Sequence, residues 1–161
     1  MPRDFVGAPK DANQGASWEI RLVAGFVGRY EHSLDTKGRV ILPAKFRTHF
    51  EHGGFLTEHS EGCIALWTLG EFERQMESMQ EQAGQGRAER NRARVWASSS
   101  AEVEIDRQGR MPIPGHLRTF AGLENEVLVL GVIDRVELWN PGAWDEKVQP
   151  EEGWLLGDAE E

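Results

Sequence analysis

The stretch Leu34-Asp35-Thr36-Lys37-Gly38-Arg39-Val40-Ile41-Leu42-Pro43-Ala44-Lys45-Phe46-Arg47-Thr48 occurs twice in altered form. It returns 71 positions later as Ile105-Asp106-Arg107-Gln108-Gly109-Arg110-Met111-Pro112-Ile113-Pro114-Gly115-His116-Leu117-Arg118-Thr119. Asp, Gly, Arg, Pro, Arg and Thr keep their places. The match resumes at an offset of 72, where Ile64-Ala65-Leu66-Trp67 meets Val136-Glu137-Leu138-Trp139. Gly70 then meets Gly142, and Phe72 meets Trp144. Two blocks in one order mean an internal duplication. The units cover residues 26–75 and 96–147.

Each copy carries the same local instructions. A strand of alternating character (Arg29 to Leu34; Ala101 to Ile105) leads into an Asp-x-x-Gly-Arg turn. Asp35 and Asp106 favour the turn because a carboxylate accepts nearby backbone N–H groups, and Gly38 and Gly109 supply positive φ. A short apolar strand follows (Val40 to Leu42; Met111 to Ile113). Pro43 and Pro114 open short helices to Phe50 and Phe120, with Gly122 as a stop. Gly54–Glu58 and Cys63–Trp67 complete the first copy as strands. Glu126–Leu130 and Arg135–Trp139 complete the second.

A unit of this size buries too little surface to stand alone, and its strands leave open edges. The copies are therefore expected to share one core in a β-rich, α+β domain with pseudo-twofold symmetry. Between them, Phe72, Met76 and Met79 recur at helical spacing over residues 70–82, and a second helix follows from Arg87. This gives a helical linker centred on residues 76–95. The matched aromatics Trp67/Trp139 and Phe72/Trp144 read as core or interface positions rather than base-stacking platforms.

The 161 residues are 39% hydrophobic and 28% charged, the balance of a soluble chain of one domain or two very small ones. There is no apolar run of about 18 residues, so no membrane helix is expected. No secretory signal pattern opens the chain. A single cysteine, Cys63, excludes an intrachain disulfide and a Cys-rich zinc knuckle, and fits a reducing compartment. Residues 1–25 lack periodicity and read as a disordered extension, and residues 148–161 as an acidic tail.

The formal charge of −9 argues against nucleic acid when taken alone. Its distribution argues otherwise. From Arg29 to Phe50 there are five Lys and Arg against two acids, and from Arg87 to Arg118 seven Arg against four acids. From Asn140 onward there are seven acids and one Lys. The turn and helix of each copy are thus locally basic, the footprint of phosphate binding. Any one of these cations could be an ordinary solvated charge. Their repetition at matched turn positions, Arg39/Arg110 and Arg47/Arg118, favours a shared role.

Residues 28–47, from Gly28-Arg29-Tyr30-Glu31-His32-Ser33 through the first turn and helix, resemble the opening of the MraZ family of bacterial transcriptional regulators. The second Asp-x-x-Gly-Arg block extends the resemblance to residues 26–147. It implies two tandem AbrB-like swapped-hairpin modules forming an intrachain pseudo-dimer. It also implies a ring-forming homo-oligomer that binds double-stranded DNA at promoter direct repeats. The expected role is a repressor of the division and cell-wall gene cluster, cytoplasmic and nucleoid-associated. By position the DNA contacts fall on Arg39, with Arg110 its counterpart, and on Lys37, Lys45, Arg47 and Arg118. Gln108 stands where Lys37 would have a partner, so the first copy is expected to contact DNA more strongly. Asp35, Gly38, Asp106 and Gly109 form the turns.

Three rival readings stand against the sequence. His49, His52, His59 and Cys63 lie close in sequence, but their spacing matches no compact zinc pattern and the second copy holds only His116. They read as surface histidines, and no metal or cofactor is expected. An enzyme would need a nucleophile constellation. Cys63 opens an apolar stretch and reads as a small buried hydrophobe, and no phosphate-binding glycine loop is present. The third rival is an antitoxin-like or structural interaction module of the same fold without operator specificity.

Overall fold

The computed structural model describes residues 25–151; the expectations for residues 1–24 and 152–161 lie outside the described residues. The first copy supplies β1 (Phe26–Ser33), β2 (Arg39–Ile41), α1 (Ala44–Arg47, continued by a 3-10 turn Thr48–Phe50), β3 (Gly54–Glu58) and β4 (Ile64–Trp67). The helices α2 (Leu69–Ala83) and α3 (Arg87–Ser99) follow. The second copy supplies β5 (Ala101–Val103), β6 (Arg110–Pro112), α4 (Gly115–Ala121), β7 (Glu126–Ile133), β8 (Val136–Trp139) and α5 (Pro141–Lys147).

The strands form a six-stranded antiparallel sheet, ordered β1-β7-β8-β4-β3-β5, and a separate two-stranded ribbon, β2-β6. Each copy lends a strand to the other: β1 pairs with β7, and β5 with β3. The register carries the duplication into space. In the β4–β8 pair, Ala65 faces Glu137, its own counterpart in the repeat, while Ile64 faces Leu138 and Leu66 faces Val136. In the ribbon, Val40 faces Met111, again its own counterpart. A pseudo-twofold axis therefore relates the copies at both pairs.

The core follows from the same symmetry. Val40, Leu42, Phe46 and Phe50 from one copy meet Met111, Ile113, Leu117 and Ala121 from the other, all buried in one cluster with Leu56, Ile64, Leu66 and Leu138. Neither copy could bury these faces alone, so the pairing is what gives each hydrophobic face its partner. The matched tryptophans also turn inward. Trp67 Nε1 donates to Thr57 Oγ1 at 2.9 Å and Trp139 Nε1 to Glu137 Oε1 at 2.8 Å, which satisfies their buried N–H groups. Phe72 of α2 stacks on Phe55 at 3.9 Å and on Trp96 of α3 at 5.3 Å, fixing the helical pair to the sheet.

Several boundaries differ from the sequence expectation. β1 begins at Phe26 rather than Arg29, and β7 runs to Ile133, because the two pair along their whole length. Gly28 faces Gly131 in that pair, and a side chain on Gly131 would run into the β1 backbone at Phe26 and Val27. β5 stops at Val103, short of the expected Ile105. Helix α5 was not anticipated, although its signal is present. Asn140 caps it by accepting from Ala143 N at 3.1 Å, and Pro141 takes a first-turn position.

Candidate nucleic-acid interface

The two Asp-x-x-Gly-Arg turns are built identically. Asp35 Oδ1 accepts from Lys37 N at 2.8 Å and Arg39 N at 2.9 Å, and its Oδ2 accepts from Arg39 Nε at 2.7 Å. Asp106 Oδ1 accepts from Gln108 N and Arg110 N, both at 2.9 Å, and its Oδ2 from Arg110 Nε at 2.7 Å. Gly38 and Gly109 take φ of 76° and 85°, a region only glycine enters without strain. The backbone N–H of Arg39, helped by its guanidinium and by Lys37 N, holds the Asp35 carboxyl below the ordinary carboxylate range. Arg110 N, its guanidinium and Gln108 N do the same for Asp106.

An exposed ion pair of this kind contributes little to stability. Its consequence here is geometric. Each guanidinium is pinned at Nε by a carboxylate that the backbone itself positions, so the two Nη groups of each arginine are aimed. Arg39 and Arg110 sit on the two strands of the β2–β6 ribbon. Strand alternation sends Val40 and Met111 fully into the core, and sends Arg39, Ile41, Arg110 and Pro112 to the other side. Arg39 lies opposite Pro112 and Arg110 opposite Ile41, which is 44% exposed. The outer face of the ribbon is therefore a checkerboard of two oriented cations and two apolar side chains, with a turn at each end.

Arg47 and Arg118 are held differently. Arg47 Nε donates to Leu42 O at 2.9 Å and Arg118 Nε to Ile113 O at 3.0 Å. Each guanidinium also reaches across to the other copy. A Cβ on Gly38 would lie 2.7 Å from Arg118 Cζ, and one on Gly109 would lie inside the Arg47 guanidinium. Leu42 N donates to Gly109 O at 2.9 Å and Ile113 N to Gly38 O at 3.1 Å, closing the same cross-links. Both side chains are half-buried buttresses beneath the opposite turn. Lys37 is exposed at the tip of the first turn, and exposed Lys45 stands 5.7 Å above the Tyr30 ring. His116 occupies the place equivalent to Lys45 and contacts Ser99 O at 2.8 Å. Sequence reading passed over Arg107, an exposed cation at the second tip one position before Gln108. The repeat alignment sets it against Thr36, which hid it.

The histidines disperse. His49 packs its ring 4.8 Å from Phe26, and His52 is exposed. His59, Cys63 and Glu137 instead come together, with ligand atoms within 4.8 Å of one another. Glu137 comes from the other copy, so sequence proximity could not reveal the group. Cys63 is fully buried; burial first, then the negative charge of Glu137, pushes its thiol well above the ordinary range. A thiol held protonated is a poor nucleophile, consistent with its reading as a core side chain.

A tandem-repeat α+β protein that presents paired arginines on a two-stranded ribbon is the class the fold and site define. The chain matches the family model of the MraZ protein, described as antitoxin-like, over residues 26–94 and 97–152. It is 40% identical over 136 residues to the transcriptional regulator MraZ of Clavibacter michiganensis subsp. michiganensis, covering 84% of this chain and 95% of that protein. It is 42% identical over 127 residues to the same-named protein of Paenarthrobacter aurescens, covering 79% and 89%. With that of Kocuria rhizophila the identity is 38% over 136 residues, covering 84% and 95%. The chain belongs to the MraZ family. Among the described residues no helix is long and apolar enough to cross a membrane.

Proposed function

We propose that this chain is a DNA-binding transcriptional regulator that grips the major groove of double-stranded DNA with the β2–β6 ribbon. The observation that carries the reading is the pair of aspartate-pinned arginines on one outer face. B-DNA's major groove admits a two-stranded β-ribbon, and a guanidinium can bridge a phosphate bidentately or read guanine O6 and N7. Arg39 and Arg110 are the base or phosphate contacts in this account. Lys37, Lys45 and Arg107 add charge toward the backbone. Arg47 and Arg118, expected from sequence as contacts, become positioning residues that support the opposite turn. The interleaved β1–β7 and β5–β3 pairs are read as two swapped-hairpin modules forming an intrachain pseudo-dimer.

One ribbon makes few contacts. A ring of copies would present the same face repeatedly to direct repeats in a promoter, and avidity would multiply weak contacts. Repression then follows from covering the promoter. The relatives' name and the localised basic charge support a DNA-binding regulator, and the resemblance in the first turn is what suggests the division and cell-wall cluster as its target. The test is a titration against duplex from upstream of the protein's own gene, with a scrambled duplex as control, at two salt concentrations. Salt-sensitive binding that prefers the native sequence is expected. Equal binding to both duplexes would favour the antitoxin-like interaction module instead.

A further inference from the structure

We infer that His59, Cys63 and Glu137 form a site for a borderline-soft divalent cation, of which zinc is the fit, bridging the two repeats beside their pseudo-twofold axis. The three side chains offer a nitrogen, a sulfur and a carboxylate oxygen, all within 4.8 Å of one another. Tetrahedral zinc bound at its usual ligand distances needs donors about 3.5 Å apart, so closure asks for shifts of about 1 Å. His59 can supply that movement. It sits in the turn between β3 and β4, half-buried, while Cys63 is fully buried and Glu137 is 6% exposed.

The symmetry shows that this group is a departure from the duplicated plan. Cys63 aligns with Arg135, Ala65 with Glu137 and His59 with Gly131. Because Ala65 faces Glu137 across the β4–β8 pair, the carboxylate of one copy is brought to the cysteine of the other. The counterpart positions hold Gly131, Arg135 and Ala65, and among the described residues they form no such set. Glu137 is also fixed in place. Its Oε1 accepts from Trp139 Nε1 at 2.8 Å and its Oε2 from Arg135 Nε at 2.8 Å. Glu137 also accepts from the Cys63 thiol, whose proton a cation would replace at one of the carboxylate's about four lone-pair sites, and outer hydrogen bonds of the Trp139 and Arg135 kind orient metal ligands. His59 Nδ1 accepts from Glu61 N at 3.2 Å, so the neutral ring carries its proton on Nε2; ligation either takes the Nδ1 lone pair in place of this long bond or moves the ring proton to Nδ1 and frees Nε2.

The site has an entry. A groove of about 550 Å³, lined in part by His59, Glu61, Gly62, Val95, Phe120 and Lys147, opens beside His59. The fourth ligand position therefore falls to water or to a small anionic ligand from the groove. Binding replaces the proton of the Cys63 thiol with a metal–sulfur bond, and the proton leaves to solvent. Arg135 and Lys147 near the site work against a dication and keep the affinity modest.

The test is a cobalt titration of the full chain purified without a histidine tag, followed by zinc competition. Cobalt bound to a thiolate gives a near-ultraviolet charge-transfer band that adventitious surface histidines do not. That band should saturate at one cobalt per chain and be displaced by zinc. Cys63→Ser should abolish the band, and His59→Gln and Glu137→Gln should each weaken binding at least tenfold. His59→Gln alters a turn residue, so it keeps the fold even if the buried variants do not. No band at excess cobalt would overturn the site. So would an unchanged affinity in folded His59→Gln protein. DNA affinity measured on the same samples keeps the two proposals separate.

Discussion

In the first repeat Asp35 holds Arg39 Nε at 2.7 Å, and in the second Asp106 holds Arg110 Nε at 2.7 Å. The residues between them diverge freely: Thr36-Lys37 at one tip, Arg107-Gln108 at the other. The flanking strands diverge too, eight residues in β1 against three in β5. Sequence has drifted where side chains meet only solvent, yet the clamp is the same. What the two copies share is an arginine aimed from the end of a rigid turn; what they vary is the amount of extra charge beside it. That division separates the contact from its support, and single substitutions can test it.

The largest effect falls on the supports. Gly109→Ala places a methyl inside the Arg47 guanidinium at a φ of 85°. Left-handed backbone alone costs roughly 1–2 kcal/mol for a residue with a Cβ. Displacing the buttress adds to that, so thermal unfolding should show a loss of about 3 kcal/mol. Gly38→Ala meets Arg118 less closely and should cost less. Equal losses would mean that the buttresses do not matter.

Next come the proposed contacts. Arg39→Ala and Arg110→Ala should each weaken operator binding at fixed salt by about 1–3 kcal/mol per contact, with unfolding temperature and assembly unchanged. The two losses should be alike, because Arg107 at the second tip balances Lys37 at the first. Lys37→Gln should lower the salt slope of binding by about one unit without changing sequence preference.

The aspartates give a smaller and pH-dependent effect. Their carboxyls lie below the usual value of 3.8 when folded. Their contribution is therefore complete above the unfolded value and lost as pH falls through the lower, folded one. These groups should leave the melting temperature flat from neutral pH down to about 5 and lower it only under strongly acid conditions. Asp35→Asn should flatten that acid limb while still capping the turn, and should loosen Arg39. The smallest effect lies away from the site. Ile133 has a φ of 68° and is 74% exposed, so Ile133→Gly relieves left-handed strain of roughly 1–2 kcal/mol against roughly 0.5–1 kcal/mol of added unfolded-state freedom, and should stabilise by up to about 1 kcal/mol in denaturant melts.

Much of this was legible in the chain. The doubled Asp-x-x-Gly-Arg block contains its own turn chemistry, and Pro43 and Pro114 mark their helices, so the local plan could be read directly. The sharing of one core followed from copies too small to fold alone. Three things were not legible. That Arg47 and Arg118 support turns depends on a contact between copies, which residue type does not encode. The meeting of Cys63 with Glu137 depends on the β4–β8 register, set by the axis rather than by spacing. Arg107 was hidden because alignment seeks the same charge at the same position, whereas an exposed tip tolerates a cation one place along.

Under the proposed function the two pinned arginines, and not the general basicity of the chain, carry DNA recognition. The decisive comparison is the affinity of an Arg39→Ala/Arg110→Ala double variant for the upstream duplex, beside the parent protein at the same salt. Circular dichroism would confirm the fold. Sequence preference should disappear while the melting temperature stays within a few degrees of the parent. A folded double variant that still prefers the native duplex would contradict it, and would move recognition off the β2–β6 ribbon.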